Sequence, residues 1–148
     1  MEFKAKISPG LEEKVAWLAR RAPHTLGHTI GITYEELDRE RVVATLPVDD
    51  RTRQPFGLLH GGASVALAES LCSVGAWLNV DETTFDVVGI EINANHLRAV
   101  RDGIVRGTAV PIHRGRSTHV WETRIVTPDG APVSVSRCTL AVVPRSRS

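Results

Sequence analysis

The residue whose position most strongly suggests chemistry is Glu69. It stands among small and apolar residues in Ala66–Cys72, and no Lys or Arg occurs between Gly61 and Leu78 to pair with it. Carboxylates are seldom fully buried without a partner. Two interpretations stay open: Glu69 lies on the one solvated stripe of a helix, or it is a nucleophile or general base in a partly apolar pocket.

A second candidate site is the run His60-Gly61-Gly62. Glycines let a ligand approach the backbone, and free amides at a helix N-terminus favour negative charge, including a developing oxyanion. The same residues also suit an ordinary tight turn into a helix. Gly61 and Glu69 are eight residues apart, which is about 12 Å along a helix axis. If both groups serve one reaction, they must therefore come from different subunits.

A third candidate is the polar segment His113–Thr118, which holds two arginines, a glycine and hydroxyl donors. Such residues can bind phosphate through charge and hydrogen bonds. The alternative interpretation is a polar hairpin turn without a ligand.

The sequence indicates no catalytic cysteine, metal site or nucleotide-binding motif. Cys72 and Cys138 lie in strongly apolar segments, where cysteine is usually inert packing. The six histidines lack the spacing of metal ligands, so we predict no metal. The chain has no nucleophile-elbow, P-loop or dinucleotide-binding motif.

A long helix must position these groups. Gly61–Leu78 is apolar almost all round, which predicts a buried helix about 27 Å long. A shorter amphipathic helix is expected over about 9–22, with Ser8 as N-cap and Pro9 in its first turn. Six strands are predicted from β-branched runs bounded by turn residues: Thr29–Tyr34, Arg41–Val48, Val87–His96, Ile104–Ile112, Thr118–Thr127 and Val133–Val142. This order predicts an α+β fold with one predominantly antiparallel sheet and one embedded helix.

Composition limits the classes of protein. A chain of 148 residues with 42% hydrophobic residues predicts a single domain over 1–148, with its core over about 27–143. The net charge of +1 argues against nucleic acid as a partner. No apolar run approaches the ~20 residues that cross a bilayer, and the N-terminal residues lack the pattern of a signal peptide. We therefore predict a cytoplasmic protein that does not enter a membrane.

The run Gln54–Ser70 closely resembles the signature of hotdog-fold acyl-CoA thioesterases, and Val88–His96 and Gly115–Trp121 extend the similarity. The branch is the PaaI-like one, which includes 4-hydroxybenzoyl-CoA, 1,4-dihydroxy-2-naphthoyl-CoA and enterobactin proofreading thioesterases. The resemblance implies a hotdog fold, in which an antiparallel sheet wraps around a long central helix. It also implies homodimers paired edge to edge, usually assembled into homotetramers, with the active site at the dimer interface.

The resemblance implies functions for nine residues by position. Glu69 matches the catalytic nucleophile or general base, and the amide of Gly61 matches the group that polarises the thioester carbonyl. Ser73, one turn beyond Glu69, matches a hydroxyl that orients the attacking water or the carboxylate. Two further residues complete the catalytic set that the resemblance implies: Gln54, which matches a side chain that helps to hold the carbonyl, and His60, which matches a histidine near the thioester. The implied substrate-binding residues are His96 at the substrate end, and Arg116, Ser117 and Thr118 at the CoA or pantetheine phosphates.

The expected activity is hydrolysis of an acyl-CoA, of aryl or β-keto type, to free acid and CoA without a cofactor. An acyl carrier protein stays open as the carrier of the thioester. Two alternatives are a hotdog dehydratase or hydratase and a non-catalytic acyl-CoA-binding sensor. The spacing of Gly61 and Glu69 fits the first less well, and a sensor need not keep Gln54, Gly61, Glu69 and Ser73 together.

Overall fold

A long helix packed against one face of a single sheet forms the centre of the protein. The computed structural model describes residues 5–146. No helix in that part of the chain is long and apolar enough to cross a membrane. The helices are α1 (Glu12–Arg21), α2 (Leu26–Ile30) and α3 (Gly61–Leu78), and the strands are β1 (Lys6–Ile7), β2 (Thr33–Leu37), β3 (Val42–Pro47), β4 (Phe85–His96), β5 (Ile104–Arg114), β6 (Thr118–Val126) and β7 (Pro132–Pro144).

The seven strands lie in the order β1-β2-β3-β5-β6-β7-β4. Every neighbouring pair is antiparallel except β1 and β2, which are parallel. Strand β4 lies at one edge and pairs with β7 on one side only, while Val88 and Ile90 on it are 50% and 64% exposed. The predicted α+β class, with a mainly antiparallel sheet around a central helix, is confirmed.

Helix α3 has the predicted bounds and packs its apolar side chains into the sheet. Leu67 and Leu71 are fully buried in this interface. The helix lies very close to β6 at Gly75, where an added Cβ would lie 2.6 Å from Cζ3 of the fully buried Trp121. Only glycine allows this separation between helix and strand without movement of the indole.

The predicted start of the first helix is wrong. Helix α1 begins at Glu12, and the preceding Leu11 makes no side-chain cap. The Ser8 hydroxyl instead donates to the Asp38 carboxylate, and the Ser8 amide donates to the carbonyl of Leu37 at 3.1 Å. Because this contact with the end of β2 occupies Ser8, the helix begins at acidic residues, which are favourable in a first turn.

The predicted strand Thr29–Tyr34 is wrong in its first half. Thr25 caps α2 by accepting a hydrogen bond from the amide of His28, and Gly31 ends that helix with φ of 85°. The helix cap at Thr25 and the left-handed glycine at Gly31 outweigh the strand propensity of the β-branched residues Thr29 and Ile30. The strand starts only at Thr33 and continues to Leu37, three residues beyond the predicted end at Tyr34. The other five predicted strands are observed with bounds that shift by one or two residues.

Candidate functional site

A cavity of about 530 Å³ lies between α3 and the two N-terminal helices. We call it the Glu69 cavity. Its walls on α3 include Glu69 and Ser73, and α1 contributes Trp17 and Arg21. The other lining residues are Leu18, Ala22, Thr25, Leu26, Gly27, His28, Ile32, Tyr34, Ala66, Ser70 and Val74. Most of these side chains are apolar or small, so a largely nonpolar group fits between the helices.

Glu69 is half-buried in this wall and points toward the edge strand. Its Oε1 lies 2.9 Å from the position that a Cβ on Gly89 of β4 would occupy. Within residues 5–146 the carboxylate forms no ion pair or hydrogen bond. An unpaired carboxylate beside apolar walls is free to act on a ligand.

Ser73 lies one helical turn after Glu69 and lines the same cavity. The neighbouring Ser70 hydroxyl is occupied, because it donates to the carbonyl of Ala66 at 2.7 Å. The Ser73 hydroxyl has no such bond in the described part of the chain. It is therefore available to a water molecule or ligand near Glu69.

A second cavity, of about 410 Å³, lies at the start of α3, and we call it the Gly61 cavity. Gln54, Gly61 and His96 line it together with Leu58, Leu59, Ser64, Leu97, Arg98, Ala99 and Val133. The Nε2 atom of His96 lies 2.8 Å from the position of a Cβ on Gly61. Position 61 must therefore be glycine if the imidazole is to pack against the first turn of the helix.

Two hydrogen-bond donors in the Gly61 cavity are unused. The Gln54 Oε1 accepts from the amide of Phe56, which leaves the Nε2 group without an acceptor in the described residues. The Gly61 amide, at the first helical position, likewise has no acceptor there. Donors arranged in this way can hold a carbonyl oxygen and stabilise the negative charge that develops on it.

His60 caps α3. Its Nδ1 accepts a hydrogen bond from the Gly62 amide at 2.8 Å, and its side chain is exposed. It lines neither the Glu69 cavity nor the Gly61 cavity. The observed contact fixes the orientation of the helix start.

Within one chain the two sets of candidate groups do not meet. Glu69 and Ser73 line one cavity, whereas Gln54, Gly61 and His96 line the other. A rigid helix holds Gly61 and Glu69 about 12 Å apart along its axis. The two sets can serve one reaction only if a second chain contributes one of them.

A third cavity, of about 380 Å³, lies at the C-terminal end of α3 and is lined by Arg116, Arg114 and His119, with Asn79, Val80, Asp81, Phe85, Gly115 and Val142. Arg114 forms an ion pair with Glu40 at 2.6 Å. Arg116 is exposed and has no ion pair in residues 5–146. Arg116 therefore leaves a positive charge available at this cavity.

Ser117 and Thr118 lie in the hairpin beside Arg116, but they do not line its cavity. Their carbonyls hold the turn together: Ser117 accepts from the Val142 amide at 3.0 Å and Thr118 from the Gly115 amide at 2.8 Å. The segment is thus a hairpin turn that presents the unpaired Arg116, and phosphate binding by it stays a prediction.

Sequence reasoning missed His119. It is 3% exposed, and its Nδ1 has no hydrogen-bond partner within the described chain. Burial lowers the pKa of His119, with a smaller contribution from Arg114, so the imidazole is neutral at pH 7. No sequence signal distinguishes this histidine, because it occupies an ordinary inward position of a strand.

Sequence reasoning also missed the N-terminal side of the Glu69 cavity. Trp17 and Arg21 of α1 and Tyr34 of β2 line it. Burial raises the pKa of Tyr34, which keeps its phenol protonated. The amphipathic pattern of α1 predicts a packing face, but it does not say which element receives that face.

The cysteines are buried, as predicted. Cys72 and Cys138 are fully buried, and the Cys72 Sγ lies 3.2 Å from Oγ1 of Thr123. A hydrogen bond with Cys138 and burial raise the pKa of Cys72. In residues 5–146 no group of three His, Cys, Asp or Glu side chains is placed to hold a metal ion.

Comparison with known proteins identifies close relatives. A family model described as the thioesterase superfamily matches residues 56–134. The 1,4-dihydroxy-2-naphthoyl-CoA hydrolase of Escherichia coli is 48% identical over 120 residues, covering 79% of this chain and 88% of the relative. The proofreading thioesterase EntH of Cronobacter turicensis is 49% identical over 122 residues, covering 80% and 86%.

Solved structures agree with these matches. A thioesterase of Pseudomonas aeruginosa has a TM-score of 0.83 at 48% identity, covering 93% of this chain and 96% of that chain. A thioesterase of Haemophilus influenzae has a TM-score of 0.83 at 42% identity, covering 97% and 96%. The hotdog fold predicted from the sequence is confirmed.

Proposed function

Because the chain belongs to the thioesterase superfamily and is a thioester hydrolase, we propose that it hydrolyses acyl-CoA thioesters, with Glu69 as the catalytic carboxylate. The observation that carries this proposal is the unpaired Glu69 carboxylate beside the free Ser73 hydroxyl in a largely apolar cavity. An aryl acyl group suits the walls of this cavity, and one relative is named for an aromatic substrate, 1,4-dihydroxy-2-naphthoyl-CoA. The reaction proposed for this chain needs no cofactor.

In the proposed reaction the hydrogen-bond donors lie on one side of the thioester and the Glu69 carboxylate lies on the other. The Gly61 amide and the Gln54 side-chain amide of one subunit donate to the carbonyl oxygen, and one such donor contributes about 3 kcal/mol to catalysis. Glu69 of the other subunit takes a proton from water, whose oxygen attacks the carbonyl carbon. When the C–S bond breaks, the proton passes to the CoA sulfur. In the covalent alternative the Glu69 carboxylate attacks the carbonyl carbon, the C–S bond breaks and CoA leaves as its thiolate. Water then hydrolyses the mixed anhydride, which restores Glu69, and the proton released passes to the thiolate.

The proposed active site requires a homodimer, which can pair again into a homotetramer. The edge of β4 supports this proposal, because no described strand pairs with its outer side, which leaves a row of unpaired backbone groups along its 12 residues. Val88 and Ile90 are exposed on the same strand, and the Glu69 carboxylate lies behind Gly89. A second copy that joins at this edge brings its own donors toward Glu69.

Co-expressing two inactive variants tests the shared site. Glu69→Gln and Gln54→Ala chains each form defective homodimers, but a mixed dimer contains one site in which both residues are intact. Random pairing of equal amounts should restore about one quarter of wild-type activity. Light scattering of the mixture measures its oligomeric state. Activity no greater than the mean of the two parents would contradict a site formed between subunits.

The third cavity is proposed to bind the CoA phosphates through Arg116. Its free guanidinium provides the charge, and the buried, neutral His119 provides a further polar atom at the same place. Ser117 and Thr118 lie on the same hairpin as Arg116, and their hydroxyls are proposed as further hydrogen-bond donors to the phosphates. A phosphopantetheine arm on an acyl carrier protein carries a phosphate as well, so such a protein is a second proposed partner.

The proposed activity is tested by following CoA thiol release from benzoyl-CoA, a β-ketoacyl-CoA and a long fatty acyl-CoA. We expect benzoyl-CoA to be hydrolysed with the highest kcat/KM, because the cavity walls suit a compact apolar ring. A dehydratase or hydratase would change the acyl group without releasing thiol, and a sensor would bind the thioesters without turnover. Either result would contradict the proposal.

A further inference from the structure

Two consecutive arginines at the end of α1 face different cavities. Successive helical residues point about 100° apart, so Arg21 lines the Glu69 cavity, whereas Arg20 lines a separate cavity of about 420 Å³ beside Lys14 and Trp77. The pair therefore contains a cation that faces the proposed acyl group and an adjacent cation that does not.

The Arg21 side chain is held in place by aromatic stacking. Its guanidinium carbon lies 4.0 Å from the centre of the Trp17 ring, and Trp17 in turn packs against Trp77 with ring centres 5.3 Å apart. Lys14 also holds α1 against the end of α3. Its Nζ donates to the Trp77 carbonyl at 3.1 Å and forms an ion pair with Glu82 at 2.7 Å. A guanidinium stacked on a ring keeps its N–H donors available at its edge.

Arg21 has no carboxylate partner in the part of the chain that the structure describes. Within residues 5–146 it forms no ion pair or hydrogen bond, in contrast to Arg106, which pairs with Glu35 at 2.7 Å. Among the described residues that line the cavity, Glu69 is the only acidic one. One cavity thus holds an unpaired carboxylate on α3 and an unpaired guanidinium on α1.

We propose that Arg21 binds a carboxylate carried by the acyl group, so that the enzyme prefers acidic acyl thioesters over uncharged ones of the same shape. This inference rests on the proposed hydrolysis of acyl-CoA at Glu69. A carboxylate that enters an apolar cavity loses its hydration and needs a partner there. The planar guanidinium supplies two parallel hydrogen bonds to it, whereas an uncharged acyl end gains nothing from Arg21.

Matched substrate pairs test the inference. The first pair is 4-carboxybenzoyl-CoA and 4-methylbenzoyl-CoA, and the second is adipoyl-CoA and hexanoyl-CoA. In each pair a terminal carboxylate replaces a methyl group. We expect the wild-type ratio of kcat/KM values to favour the acid in at least one pair, and Arg21→Met to lower that ratio about tenfold. Methionine keeps an apolar contact with Trp17, so loss of packing is small.

Arg20→Met is the control, because it removes the same charge from the adjacent position without altering the Glu69 cavity. It should leave the ratio unchanged. A wild-type enzyme that prefers the uncharged member of both pairs would overturn the inference, and so would an unchanged ratio in Arg21→Met. If the wild type hydrolyses none of the four thioesters, the proposed function itself fails.

Discussion

Replacing Glu69 by Gln is expected to lower kcat for benzoyl-CoA by about 10²- to 10⁴-fold. The amide keeps the size of the side chain but can neither attack a carbonyl nor accept the proton of the attacking water. Because the carboxylate has no ion pair or hydrogen bond in residues 5–146, its loss breaks no structural contact. Binding of the thioester and the melting temperature should therefore stay close to those of the wild type.

A matched control is Glu122→Gln. Glu122 pairs with Arg124 at 2.9 Å on β6 and lines none of the three cavities at α3. Arg124 is 73% exposed and Glu122 is 26% exposed, and an ion pair that solvent reaches contributes little to stability, so this variant should retain wild-type kcat and fold. Stopped-flow measurement of thiol release separates chemistry from product release in both variants. Undiminished turnover in Glu69→Gln would rule out this residue as base or nucleophile.

Replacing Gly75 by Ala is expected to reduce the free energy of unfolding by about 1–3 kcal/mol. The new methyl group would lie 2.6 Å from Cζ3 and 2.7 Å from Cη2 of Trp121, which is fully buried and cannot move into solvent. Helix propensity alone predicts the opposite sign, since Ala is favoured over Gly by about 1 kcal/mol. A loss of stability would therefore report the contact between α3 and β6.

Urea unfolding of a double variant identifies the cause. Trp121→Phe removes part of the ring system that the methyl group would strike, so Gly75→Ala should cost less in that background than in the wild type. The indole Nε1 has no hydrogen-bond partner in the described residues, so its loss leaves no unpaired group. Gly27→Ala serves as the control, because its Cβ would make an ordinary contact at 3.6 Å. Equal costs of Gly75→Ala in both backgrounds would contradict the packing argument.

The elements that depend on local patterns were predictable. The bounds of α3, Gly61–Leu78, follow from a run of small and apolar residues that begins at a glycine pair capped by His60. The last four strands follow from β-branched runs between turn residues such as Asp102-Gly103. The failures lie in the first 40 residues. Ser8 is engaged by Asp38, 30 positions away, and Thr29 belongs to a short helix closed by Gly31.

The sequence likewise predicts only part of the candidate site. The eight-residue spacing of Gly61 and Glu69 on a rigid helix already requires two chains if one reaction uses both, because helix rise depends only on sequence separation. Which groups join each of them is a property of the folded chain. The sheet brings His96 against Gly61, and packing of α1 on α3 brings Trp17 and Arg21 to Glu69.

The sequence by itself thus determined the central helix, the fold class and the catalytic candidates, because periodicity and motif spacing act over a few residues. Only the tertiary structure decided that the N-terminal helices cover the Glu69 cavity, that the donor set lies in a different cavity, and that β4 is a free edge. These features depend on contacts between residues far apart in the chain, whose pairing is selected by the burial of the whole core.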